Sequence, residues 1–572
     1  MNTGETRDAD EPGEGGDTGR AVDTVDTVDT VDTAEAGDTV DTAEAGNTVD
    51  TGDTDGPGSG GDAGGSRRAT VPPPLFPRWP GPAGPVPDVL LGAAAAVGLA
   101  TAVALPTGPT GAGWLYAATV ALAMTLVVRW RLNRSADAAD AAGPHPPPPA
   151  APPRPRPLRP RPLSTADVAW TLAAVALCTV VAVRAAEWLA ALCLLGAAAA
   201  AALAVSGPAR RSVPESLCLP AVAALRALPW VGRGSRRSSS VRAMAVGLAG
   251  LAVLLVFVPL LASADAAFAA VVATVTPRVE ADSLVRWVFL FGLGAAATAG
   301  VGFLLVAPPE PGDAARRPTR LRCADWAVPT GLLVAVFALF VGVQAVTLFG
   351  SHDHVLRTTG LTYAEYARSG FWQLLLVTAL ALGVLAFDSR WAPQRTAAER
   401  STKRGLLAAL AVLTLVVVAS AWHRMWLYQQ AYGFTVLRLL VLTVELWLGA
   451  CFVLALVAVL RLRPAGLSRP MVALGVVALL GLAALDPERF VAERDVERFA
   501  ATGELDTGYL GGLSADAVPA LMTLPEPQRS CALAGIAARL AEPDDWRGAD
   551  LSRRAARRTL AGLPTPCGTR SY

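Results

Sequence analysis

Charged side chains are scarce. They make up 17% of the 572 residues against 52% hydrophobic ones, where a soluble domain carries about a quarter charged. That shortage excludes an ordinary cytosolic globule. The 49 basic and 48 acidic groups nearly cancel, to a formal +1. The concentrated basic face of a nucleic-acid binder is missing, and no nucleic acid is expected as a partner. Lysine is rarer still, with Lys403 standing alone among arginines; together with the abundant alanine, this bias reads as the imprint of a GC-rich genome. The usual enzyme signals are absent as well. There is no Gly-rich phosphate loop ending in Lys-Ser/Thr, no His-Glu-x-x-His, no Cys-x-x-Cys and no Gly-x-Ser-x-Gly, so the sequence nominates no catalytic residue, no metal centre and no cofactor.

Aromatic residues are missing from Met1 to Thr70, where Val-Asp-Thr and Ala-Glu-Ala-Gly units repeat. Such a stretch cannot bury enough apolar surface to offset the entropy of ordering it, which predicts a disordered acidic tail. It has neither the basic start nor the apolar run of a secretory signal, so the N-terminus is expected on the cytoplasmic side. Pro-rich Val71 to Pro87 closes this first region, 1–87. A second Pro-rich stretch, Gly143 to Pro162, carries Arg154, Arg156, Arg159 and Arg161. It reads as an extended cytoplasmic spacer, with a protein partner that recognises polyproline as the alternative.

What the sequence has in abundance is apolar runs. A helix needs roughly 20 such residues to cross the hydrocarbon core, where lipid offers the backbone no hydrogen-bond partner. About eleven segments qualify, giving an all-α polytopic membrane protein embedded in the lipid bilayer. They lie near 88–105, 112–128, 167–183, 186–205, 242–262, 284–306, 328–349, 368–387, 405–427, 436–460 and 471–485. The first four form an N-terminal segment (88–205), the rest a membrane core (242–485), and 486–572 an external tail. Arginine-bearing joints alternate with poor ones: Arg129, Arg131 and Arg134 in the second, Arg316, Arg317, Arg320 and Arg322 in the sixth, Arg461, Arg463 and Arg469 in the tenth. Basic joints stay in the cytoplasm, which orients the N-terminus inside and the C-terminus outside. Trp114, Trp188, Trp287, Trp372 and Trp426 then fall at outer ends, and Trp170 and Trp326 at inner ends. Ala264 to Thr276 is apolar but too short to cross, and is expected as an outer surface or re-entrant helix.

Polar residues inside the spans gather toward the outer side. Arg438 enters span ten, and Glu445 lies two turns deeper on the same face, about 10 Å away along the axis. Each needs a partner from another helix or water. Gln344, Glu365, Arg368, Gln373, His423 and Arg424 sit at the same depth, and with Arg438 and Glu445 form a candidate ligand or ion chamber. The alternative is a charge network that locks helix packing, with Arg438 reaching to the headgroups. Glu365 has a second reading, as the partner of Thr362 in a capping box. His352 and His354 lack a spaced pair of further ligands and read as a solvated loop. Gly292, Gly294, Gly300 and Gly302 on span six read as close helix packing.

Of the seven cysteines, only Cys531 and Cys567 fall in the expected external tail, where a disulfide is possible and free thiols are the alternative. In that tail Asp486-Pro487-Glu488 starts a helix, Gly503 stops it, Ser514 caps a short one, and Ser530–Leu540 and Leu551–Leu560 are further helices. Arg553, Arg554, Arg557 and Arg558 face either anionic lipid and wall polymer or plain water.

Three stretches carry a resemblance: Leu361 to Leu374 with its Tyr-Ala-Glu-Tyr-Ala-Arg-x-Gly-Phe core, Tyr428 to Leu440 with Tyr432-Gly433-Phe434-Thr435, and Asp506 to Leu521 with Leu513-Ser514-Ala515-Asp516-Ala517-Val518-Pro519. Together they resemble an actinobacterial integral-membrane family, domain-of-unknown-function family 4173 (DUF4173), from about Arg242 to the tail. The resemblance implies a multi-pass protein of the bacterial plasma membrane with no assigned activity, and treats the first four spans as peripheral. A non-catalytic envelope or interaction protein is the leading expectation, because segments suited to partners lie on both faces. A transporter with an outward polar site is the second. An outer-leaflet enzyme acting on lipid-linked substrates is the third, and the first outer loop, Pro106 to Gly113, lacks the acidic residue that many such transferases carry.

Overall fold

The computed structural model describes residues 79, 81–82, 84–141, 159–207, 212–235, 281–309, 322–349, 371–461 and 467–562, with isolated positions between 250 and 268. The acidic repeats, most of the Pro-rich linker, and the segments expected at 242–262 and 264–276 lie outside the described residues, apart from those isolated positions. Every regular element among the described residues is helical. The long helices are α1 (Asp88–Ala104), α2 (Ala112–Ala141), α3 (Thr165–Val183), α4 (Glu187–Ser206), α5 (Val213–Ser235), α6 (Ala281–Val306), α7 (Cys323–Phe349), α8 (Phe371–Trp391), α9 (Ala397–Tyr432), α10 (Val436–Leu460) and α11 (Ser468–Leu485). The tail adds α12 (Pro487–Thr502), α13 (Thr507–Gly512), a 3-10 turn (Ala515–Ala517), α14 (Val518–Leu521), α15 (Gln528–Leu540) and α16 (Leu551–Leu560). Among the described residues 9 helices are long and apolar enough to cross a membrane, and α1 is a shorter apolar one. The chain is a polytopic all-α membrane protein.

Most apolar runs predict their helices closely, and α10 spans the expected residues. The larger differences are polar extensions with local causes. α9 starts at Ala397 because Thr396 and Glu399 close a capping box: each side chain accepts the other's backbone N–H, both at 3.1 Å. Ser164 and Asp167 do the same for α3. α5 is a helix where only a basic joint was expected. Pro220, Pro229 and Arg226 dilute its apolar character, yet Leu219, Ala223, Ala227 and Trp230 are buried against Leu90, Val128 and Phe303.

The helix directions follow from which ends meet. Arg286, early in α6, donates to Leu105 O just past α1, and Ala112 N at the start of α2 donates to Ala549 O of the tail. Those ends therefore lie on the tail side. At the far side, Arg129 late in α2 donates to Arg161 O, Arg161 N donates to Leu305 O at the end of α6, and Arg469 at the start of α11 donates to Gly207 O after α4. In the second half, Gly331 of α7 lies beside Leu406 of α9, and Gln344 bonds Ser420 further along both, so the two helices run parallel. The helix ends flanking the arginine-bearing second, sixth and tenth joints thus lie opposite the tail.

Three packing cores result within the described membrane portion, one of which joins α3, α4, α10 and α11 through Leu177, Leu189, Leu439 and Val476. α1 and α6 approach closely, with Gly294 against Thr101 and Gly302 against Leu90, while Gly300 meets Ala224 of α5. Gly292 faces open space. Phe337, Leu385, Leu410 and Phe452 unite α7 to α10.

The lone lysine is buried on α9, one of the helices of this last core. Lys403 is 3% exposed, and its Nζ donates to Ser389 O at 2.9 Å and Ala392 O at 3.2 Å, satisfying carbonyls at the end of α8 that the helix itself leaves open. Asp388, also buried, accepts from Thr330 Oγ1 at 2.6 Å. The genome bias therefore explains the missing lysines but not the position of the one retained. An amine-reactive reagent applied to the folded protein should modify the α-amino group and spare Lys403, with the second adduct appearing only on unfolding. Equal rates at both sites by intact-mass analysis would contradict this burial.

Candidate functional site

The most built region is the seam between the tail and the helix ends. α3 stops at Val183 and α4 starts at Glu187, leaving backbone amides that need acceptors, and the cap residue of α4, Ala186, offers no side-chain oxygen. Asp516 supplies it from the tail. Its Oδ2 accepts from Ala185 N at 3.0 Å, Ala186 N at 3.1 Å and Ser514 Oγ at 3.2 Å. Arg184 pairs with Asp486 and donates through Nε to Ala483 O at 3.0 Å. Trp188 Nε1 donates to Glu488 at 2.9 Å, whose other oxygen accepts from Ser514 N.

The tail holds the other ends in the same way. Tyr509 Oη accepts from Val436 N at 2.8 Å, and Asp495 from Phe434 N at 3.1 Å. Gly113 N donates to Arg547 O at 2.9 Å, and Arg553 donates to Thr110 O at 2.6 Å while pairing with Asp550 at 2.6 Å and Asp544 at 3.2 Å. The tail has its own apolar core, including Leu510, Val518, Leu521, Leu533 and Ile536. Of the four arginines expected on its surface, only Arg554 and Arg558 are exposed; Arg553 is buried and Arg557 is half-buried, bonding Leu540 O and Glu542 O. α12 starts where expected, with Asp486 at its N-cap and Pro487 in its first turn, but Asp486 makes no side-chain cap: its backbone is left-handed (φ 57) and its carboxylate reaches Arg184 instead.

Burial raises three seam carboxyls, Asp486, Asp495 and Asp550, each to about 6. For Asp495 the burial outweighs the Phe434 N–H, Arg498 and Arg438, which favour its charge, while Asp506 opposes it. A carboxyl whose native pKa is raised binds protons more tightly folded than unfolded, so its contribution to stability grows as pH falls from about 7 toward the unfolded value near 4. Asp495→Asn should therefore exceed the wild type in thermal midpoint most at pH 8, by less at pH 5, and match it only below about pH 4. An unchanged difference across that range would show that Asp495 does not titrate there.

The predicted chamber is only partly assembled among the described residues. Gln344 and Ser420 meet at 2.6 Å between α7 and α9. Glu445 is 4% exposed, and its Oε2 has no hydrogen-bond partner; it shares the helix face of Phe452, seven residues on, and so faces the α7–α9 core. Arg438 instead folds back onto Gly433 O at 2.6 Å, joining the seam. Gln373 and His423 are exposed and Arg424 is half-buried. Glu365, Arg368, His352 and His354 lie outside the described residues. Sequence reasoning missed Gln429, which is 1% exposed with both amide atoms unpartnered; its place in a polar-aromatic helix end gave no sign of burial. It missed Tyr509 and Asp516 as well, because their roles depend on contacts distant in sequence. No group of His, Cys, Asp and Glu among the described residues could hold a metal ion. Cys531 is disulfide-bonded, and Cys567 lies outside the described residues.

A model of a domain of unknown function, DUF4153, matches residues 171–524, more than half of the chain. The chain belongs to the DUF4153 family. The motifs that resemble DUF4173 thus pointed to the wrong numbered family, and what holds is the coarser statement, a domain of unknown function. The DUF4153 match begins within α3, so it includes most of α3 and all of α4, which the motif reading placed outside the core. It ends at Leu524, taking in Arg184, Asp486, Glu488, Tyr509 and Asp516 and leaving out α15 and α16. No curated protein and no solved structure gives a match.

Proposed function

We propose that this DUF4153 protein is a non-catalytic envelope interaction protein of the bacterial plasma membrane, whose tail forms a rigid platform on the external face. The observation that supports it is the seam: Asp486, Glu488, Asp495, Tyr509 and Asp516 bind backbone and side chains at the ends of α3, α4, α10 and α11. A freely tethered appendage needs no such contacts, whereas a platform that transmits position or force from a partner does. The arginine-bearing joints opposite the tail favour a cytoplasmic far face, and the disulfide at Cys531 suits an oxidising exterior. The Pro-rich linker would offer a second partner on the cytoplasmic face.

Transport is the second reading, favoured by Glu445. A buried intramembrane carboxylate with an unpaired oxygen is a functional candidate by default. Complementation of a deletion strain separates the two. At matched membrane levels, Arg554→Glu/Arg558→Glu on the exposed tail surface should fail to complement, and Glu445→Gln should complement. The reverse pattern would replace the platform with transport.

A further inference from the structure

Trp546 is a large side chain that the packing of the tail leaves uncovered. It lies in the loop between α15 and α16, 48% exposed, with its ring edge-on to that of Tyr116 at 5.9 Å. A single exposed tryptophan on a soluble domain needs no explanation, but this one stands against a membrane helix. We propose that Trp546 is an interfacial membrane anchor, seated in the leaflet on the tail side and tying the 544–551 loop to lipid. The anchor concerns how the tail sits on the bilayer, and it goes beyond both functional readings above.

Three features favour lipid as the occupant. The first is the face of α2 that Trp546 continues. Tyr116, Leu126, Val127 and Trp130 are between 40% and 50% exposed and share one stripe of a helix long and apolar enough to cross a membrane. That stripe faces hydrocarbon, and Tyr116 is its tail-side end. The second is depth. Arg131 and Arg134 hold their guanidiniums 5.3 and 4.7 Å from the centre of the Trp130 ring, and charged groups at this end of α2 mark the far boundary of the hydrocarbon. Tyr116 lies about 21 Å from Trp130 by helical rise, inside a core about 30 Å thick, and any tilt of α2 brings it closer to that boundary. A ring 5.9 Å from Tyr116 is therefore at the tail-side edge of the core, where the apolar ring and the polar N–H of a tryptophan are both accommodated. The third is placement. Ala112 N and Gly113 N donate to Ala549 O and Arg547 O, each at 2.9 Å, and Asp545 accepts from Arg547 N at 2.8 Å and Gly548 N at 3.1 Å. The loop is fixed to the start of α2, and the depth of the ring is fixed with it.

The charges nearby do not select a headgroup. Asp544, Asp545 and Asp550 pair with Arg547, Arg553 and Arg557, and exposed Glu542 offsets one of Arg554 and Arg558. The attraction is apolar, and headgroup charge should matter little.

The test places the full-length protein, labelled with fluorotryptophan, in phosphatidylcholine nanodiscs. The fluorine resonance missing from Trp546→Phe is that of Trp546, and the substitution is at an exposed position that the fold tolerates. A nitroxide carried high on the lipid acyl chain should abolish this resonance, while a water-soluble gadolinium chelate should leave it. Adding phosphatidylglycerol should change neither result. Loss of the resonance to the chelate would overturn the proposal. So would its survival beside the lipid nitroxide, which would mean that protein or water covers the ring. A lipid effect that appears only with phosphatidylglycerol would also overturn it, in favour of anionic headgroups held by Arg554 and Arg558.

Discussion

Asp516→Ala should destabilise the docked tail by about 2–5 kcal/mol, while Asp516→Asn should cost less than about 1 kcal/mol. The alanine strands two buried amides, Ala185 N and Ala186 N, whose only described acceptor is Asp516 Oδ2, and each stranded group costs about 1–3 kcal/mol. Asparagine keeps a carbonyl oxygen in the same place and removes a charge that bears unfavourably on Asp486 and Asp550. Hydrogen exchange reads the effect directly. Amides 185 and 186 should lose protection in the alanine variant, together with α14, and keep it in the asparagine variant. Equal damage from both would mean that the charge matters and not the acceptor. Equal tolerance would mean that the tail does not cap α4.

That contrast marks what the sequence could convey. The crossing helices were legible because lipid imposes a strict length and an apolar composition on each, independent of its neighbours. The tail helices were legible for a similar reason, since Pro487 and Gly503 act on the backbone beside them. The seam was not. Asp516 is a short acidic residue in a single 3-10 turn, and nothing within ten residues distinguishes a solvated aspartate from one that caps a helix more than 300 positions earlier. The same limit explains Arg438, whose place one turn inside span ten called for a partner from another helix at the same depth, or water. Its guanidinium turns back to Gly433 O, as a long, flexible side chain near a helix start can. Glu445, with no such escape, stays buried where the helical period placed it.

The glycines of α6 give the second large effect, and a control within the same helix. Gly300→Leu should destabilise the protein by about 3 kcal/mol, at the upper end of the range for overpacking, and loosen α5. A Cβ at position 300 would lie 2.7 Å from Ala224 N and 2.8 Å from Ala224 Cα, and backbone cannot rotate aside as a side-chain tip can. Relief requires α5 to move, which would open the Trp230–Phe303 edge contact, now at 5.7 Å between centroids. Gly292→Leu, where nothing lies within 4 Å, should change stability by less than about 0.5 kcal/mol. The four glycines look alike in sequence, and small residues on membrane helices mark close approach only where a neighbour is present. Thermal unfolding in detergent, followed with acrylamide quenching of tryptophan, separates the cases: quenching should rise for Gly300→Leu and stay at the wild-type level for Gly292→Leu. If both variants melt alike, α5 is not packed against α6 through Gly300.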